Sequence, residues 1–165
     1  MSAEDPGRFL RRAGAGELPD GSLVTWSVAE GTRGRRWRWT IAAATGLRHV
    51  GLIERDATGR FTRLELEAGE GMLTLHPDAD GRSAHGNVVR DGGVESLAIA
   101  WSDHDALAID GDPFGSAVAG WRGDGWVVGS DLRLRREEGG GTGGLEIDER
   151  GVPRLGSALE FALES

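Results

Sequence analysis

The sequence predicts an all-β fold, antiparallel and of about ten strands, with little helix, arranged as a curved sheet or an incompletely closed barrel. Three observations carry this expectation. Apolar residues recur at every second position through most of the chain, the period of a half-buried strand. Turn signals interrupt the alternation at intervals of about ten residues, as expected for strands joined by hairpins. No segment sustains a helical period, and the best candidate, Arg8 to Ala13, is short and flanked by glycine.

Residues 1–20 read as a poorly ordered or peripheral N-terminus closed by the turn Pro19-Asp20-Gly21. Val24, Trp26 and Val28 then share one strand face, followed by Trp37, Trp39 and Ile41 with Arg36, Arg38 and Thr40 opposite. The pattern continues through Val50 and Leu52, then Leu64 and Leu66 against Arg63, Glu65 and Glu67, then Leu73 and Leu75. Later strands are expected at Val88, at Leu97 to Trp101, at Leu107 and Ile109, at Ala117 to Trp121, at Trp126 to Val128 and at Leu132 to Arg135. The turns between them carry Asp and Gly, which supply the backbone angles that tight hairpins need. Such one-sided alternation belongs to antiparallel meanders, since parallel strands read as continuous apolar runs. Residues 137–144 form a Gly-rich loop by composition, and residues 145–165 a terminal hairpin that docks on the sheet, its last strand alternating at Leu159, Phe161 and Leu163.

With 165 residues the chain is expected to be one domain, long enough to bury a core without cross-links. There is no cysteine, lysine, tyrosine or glutamine. Their absence excludes disulfides, thiolate chemistry, Schiff bases, the phosphate-binding lysine of P-loops and phenolic acid catalysis. All 19 basic residues are arginine, a bias that fits a GC-rich bacterial genome. The first twenty residues hold only Phe9 and Leu10 as adjacent bulky apolar residues, so no signal peptide or membrane span is expected and the location expected is cytoplasmic. The net charge is −8, and residues 65–112 hold eleven acids against two arginines. That block repels nucleic acid and anionic membrane surfaces, so neither is an expected partner.

Motifs of high specificity are absent. His76-Pro77-Asp78-Ala79-Asp80-Gly81 resembles the opening of a calcium loop, yet the place of the closing glutamate is Val89; a hairpin turn explains it. His76, His85 and His104 lie on or near different strands with no ligand spacing, so no metal and no cofactor is expected. The chain has no Gly-x-Ser-x-Gly elbow. His85 and Asn87, the latter the one asparagine of the chain, share a strand face with Val89, and would orient a ligand if that face lined a cavity.

Leu107-Ala108-Ile109-Asp110 followed by Asp112-Pro113-Phe114-Gly115-Ser116 resembles the distal part of the bacterial glycolipid-binding family. Its members are similar to the lipoprotein carriers, which are incompletely closed half-barrels. The family's turn continues Thr-Asn, where this chain has Gly115-Ser116, and no site residue is carried over. The resemblance implies a half-barrel with an apolar groove.

Three functional readings follow. The preferred one is a non-enzymatic protein binding a lipid-like or other small hydrophobic ligand in an apolar groove, with Trp39, His85, Asn87, Trp101 and Phe114 as ligand-binding residues. The second is a small hydrolase or isomerase with His85 or His104 as base and Asp103 or Asp105 as its partner. The third is a structural module that pairs as a homodimer through an uncovered edge or face.

Overall fold

The computed structural model describes residues 10–69, 71–141, 145–154 and, for the backbone, 159–163. Eight strands follow one another as a meander: β1 (Leu10–Glu17), β2 (Leu23–Gly31), β3 (Gly34–Ala43), β4 (Gly46–Asp56), β5 (Phe61–Ala68), β6 (Gly71–Pro77), β7 (Ser83–Arg90) and β8 (Gly93–Ala100). There follow β9 (Leu107–Ile109), the helix α1 (Pro113–Val118), β10 (Gly125–Val128), β11 (Leu134–Glu137) and β12 (Leu159–Leu163). The large sheet has the order β12-β1-β2-β3-β4-β5-β6-β7-β8, and a small second sheet the order β11-β10-β9. The large sheet is antiparallel throughout and does not close into a barrel; the β9–β10 pair is parallel.

The hairpins follow from local chemistry. Asp20, Asp56, Asp80, Asp131 and Asp148 each accept, through Oδ1, the N–H two residues on, the side-chain mimic of a backbone turn. Between β7 and β8, Asp91 and Gly92 both have positive φ, as a two-residue hairpin whose twist matches its strands requires.

One face of the large sheet is the core face. Val24, Trp26 and Val28 of β2, Trp37, Trp39 and Ile41 of β3, Ile53 of β4, Leu64 and Leu66 of β5, and Leu73 and Leu75 of β6 are all buried. What covers them are residues 101–141 and 145–154. Phe114 stands 5.4 Å from Trp39, ring centre to ring centre, and Trp101 stands 5.6 Å from Phe61. The Trp37 indole N–H donates to the Gly151 carbonyl at 2.8 Å.

Several expectations are corrected here. Ala117 to Trp121 is not a strand, because the preceding residues nucleate a short helix: Asp112 caps it by accepting the Gly115 N–H, Pro113 opens it, and Phe114 and Val118 bury one side. It ends at Gly120, whose φ is +81°. Within the N-terminal segment expected to be peripheral, and in place of the short helix candidate, Leu10–Glu17 forms β1, paired along its length with β2; residues 1–9 lie outside the described ones. The face expected to form an apolar groove, with Trp39 on it, is filled by the chain's own later segment, to which Trp101 and Phe114 themselves belong. An apolar face of this width must be covered by something, and here Phe114, Trp101, Val118 and Leu132 do it.

Candidate functional site: the open face of the sheet

The five residues singled out from the sequence separate into two places. Trp39, Trp101 and Phe114 are buried in the core, 5% exposed or less. The Trp39 indole lies against Gly51, its register partner on β4, and against Gly115 of α1; a Cβ at either glycine would meet the ring at 2.2 Å and 2.6 Å. Its N–H donates to Asp112 Oδ2 at 2.7 Å, and His49 Nδ1 lies 3.1 Å from the same oxygen. The Gly115 N–H donates to Asp112 Oδ1 at 2.8 Å. Asp112 is 1% exposed, so both carboxylate oxygens are engaged inside the protein. Sequence reasoning missed this cluster: its members lie 63 and 73 residues apart, and no short motif records such a distance.

His85 and Asn87 lie on the opposite face of the sheet, exposed, on β7. His85 Nδ1 is paired with Asp78, and Ser83 Oγ donates to the same Asp78 oxygen at 2.6 Å. The Ser83 hydroxyl foremost, and then His85, hold the Asp78 carboxyl below the usual carboxylate range. Asp103 is paired with Arg60 at 3.1 Å and Asp105 with Arg136 at 2.8 Å, so the carboxylates expected to orient a histidine base are held by arginines instead. Among the described residues no three His, Asp or Glu side chains gather to hold a metal ion, and no helix is long and apolar enough to cross a membrane.

The outward face of the sheet is the more informative surface. Its register sets residues in rows across the strands. One row runs Ala15, Thr25, Thr40, Val50, Glu67, Met72, Val89 and Val94; the next runs Ala13, Ser27, Arg38, Leu52, Glu65 and Thr74. Small side chains at Ala13, Thr25 and Ser27 leave a hollow of about 540 Å³ beside Val50, Leu52 and Met72. Leu52 is only 7% exposed although it faces outward. One step further along the strands lies the row Arg11, Ala29, Arg36 and Glu54. Here a second hollow, of about 760 Å³, surrounds the β2–β3 hairpin and is lined by Arg11, Arg33, Arg35 and Arg36 with Glu30 and Glu54. Among the described residues no element lies over this face, and Leu23, Leu47 and Val94 are 59%, 64% and 71% exposed on it.

No family model matches the chain, and no curated protein or solved structure was found to be similar to it.

Proposed function

We propose that this chain is a non-enzymatic binding protein for a small amphiphilic molecule, held on the outward face of its nine-stranded sheet. The observation that carries the reading is the hollow floored by Ala13, Thr25 and Ser27 and walled by Val50, Leu52 and Met72. Its volume falls within the range of small-ligand sites, and its lining is mostly apolar with a few polar groups. An antiparallel sheet with one solvated face leaves that face accessible to a ligand, and Leu23 and Leu47 stand exposed on it, both in register with Ala42. The ligand proposed from the sequence is thus kept in kind and moved in place, from the core face to the open one. The geometry does not favour covalent turnover, because Asp103 and Asp105 are held by Arg60 and Arg136, His85 is paired with Asp78 at a turn, and His49 is buried with Asp112 beside Trp39.

Native mass spectrometry and titration with decanol, followed through tryptophan fluorescence, test the reading on the intact chain. Ser27→Phe fills the hollow from its floor without touching the core face, and is expected to weaken decanol binding by about tenfold or more while leaving the thermal midpoint close to that of the parent. Equal affinity in the variant would refute the placement. A second copy of the chain is the competing occupant of this face; sedimentation velocity showing a dimer that decanol fails to dissociate would favour it.

A further inference from the structure

We infer that the ligand of this face carries an anionic head group, a carboxylate or phosphate monoester, seated against Arg11, Arg36 and Arg38 with its apolar part over Val50 and Leu52. The inference rests on the amphiphile reading above and adds the chemistry of the head. Arg11 lies opposite Ala29 on β2, and Ala29 lies opposite Arg36 on β3. Arg38 is two residues from Arg36 and shares its face. With strands about 4.8 Å apart, Arg11 and Arg36 stand about 10 Å from each other across Ala29, a gap that two arginine side chains can close around one anion.

The floor between them is made of Ser27 and Ala29, small enough to admit an oxyanion close to the sheet. Only Arg36 has a carboxylate partner, Glu54 at 2.7 Å; among the described residues Arg11 and Arg38 have none. Arg33 at the hairpin tip is likewise without one, whereas Arg35 is held by Glu30. Like charges gathered on neighbouring strands repel one another, and a bound anion relieves that repulsion. The arginine fork also fits carboxylate and phosphate oxygens two at a time.

The far side of the hollow has the opposite sign, which sets the direction of the ligand. Glu67, beside Met72, has no ion-pair partner among the described residues, and Glu65 is paired with Arg63. An anion is repelled from that side and drawn to the hairpin side, so the tail must cross Val50 and Leu52. In a chain of net charge −8, this is a local reversal of sign that solubility does not call for.

The test compares decyl phosphate, decanol, decyltrimethylammonium and inorganic phosphate as probes of the intact protein. Decyl phosphate is expected to bind about tenfold or more tightly than decanol, and the ammonium more weakly than either, with the advantage shrinking between about 20 and 500 mM salt. In the double variant Arg11→Gln, Arg38→Gln the ratio of decyl phosphate affinity to decanol affinity is expected to fall to about twofold; Arg133→Gln, on an exposed loop of the covering segment, serves as the control, with the ratio of the parent. Equal affinity for the three decyl probes would overturn the anionic head and leave the amphiphile reading standing. Inorganic phosphate binding as tightly as decyl phosphate would show a free-anion site and overturn the seat for a tail. If no decyl probe binds, the amphiphile reading falls, and this inference with it.

Discussion

Asp112 joins three parts of the interior, β3, β4 and α1, through one buried carboxylate. It sits at the start of α1 with its carboxylate inside the protein, receiving the Trp39 indole N–H and the Gly115 amide N–H and lying against His49. Removing it leaves two buried donors without an acceptor and a helix without its cap. Asp112→Ala is therefore expected to destabilise the fold by about 3 kcal/mol or more, measured by urea unfolding. The tryptophans offer an internal comparison. Trp26 has a buried indole N–H with no acceptor among the described residues, whereas the Trp39 N–H is bonded to Asp112. Both replacements by Phe lose packing, but only Trp39→Phe also breaks a buried hydrogen bond to a carboxylate. It should cost more than Trp26→Phe by about 1–3 kcal/mol; equal losses would show that the Asp112 contact contributes nothing.

At the scale of elements, the hairpin turns link stability to pH. Hydrogen bonds hold three turn carboxyls below the ordinary range: the Ser22 backbone N–H at Asp20, the Thr58 hydroxyl and then the Arg60 N–H at Asp56, and the Ser83 hydroxyl at Asp78. A carboxyl with a lowered folded pKa binds protons less readily folded than unfolded. Its contribution is complete above the unfolded value near 4 and is lost as the pH falls through the folded one. The urea midpoint is expected to be insensitive to these three groups between about pH 5 and 7 and to decline below about pH 4, with a shallower decline in Asp56→Asn. Asp20 is exposed and Asp56 and Asp78 are half-exposed, so the decline is a sum of small terms. A parent and a variant with the same slope would remove Asp56 from the account. Arg55 contributes at another joint: burial lowers its pKa, and its guanidinium donates to the Val118 and Gly59 carbonyls, tying the end of α1 to the turn after β4.

For the whole molecule, the decisive fact is that one sheet face is covered and the other is not. The strands at the middle of the sheet, β3 and β4, are paired on both sides and packed under α1 and its neighbours in the later part of the chain, such as Leu107, Val128 and Leu132. At the margin, β8 pairs only with β7, and nearly all its residues are at least partly exposed. Native-state hydrogen exchange is therefore expected to be slowest at Trp39, Ile41 and Ile53 and much faster at β8; a uniform rate across the sheet would mean that it opens only as one unit. The same asymmetry gives the open face its proposed role, because the inner surface is occupied by Phe114 and its neighbours and only the outer one is accessible.

The sequence by itself determined the strands, their alternation and their turns, because these are local: Trp37 and Trp39 must share a face, Arg36 and Arg38 must share the other, and Asp91-Gly92 must turn. With hairpins this short the rows of the outer face were also within reach, and the signal that could have revealed the hollow was the small residues Ala13, Ser27 and Ala29 standing where the polar face elsewhere carries long side chains. Alternation shows which side chains lie together but not what lies over them. The fold-back of residues 101–141 and 145–154 that filled the expected groove depends on contacts between distant parts of the chain, such as Trp39 with Asp112. So does α1, six residues long, too short to leave a helical period and held by its cap and by the core. Which face is apolar was thus written in the alternation, and tertiary packing decided what covers it and that the polar face has no cover among the described residues.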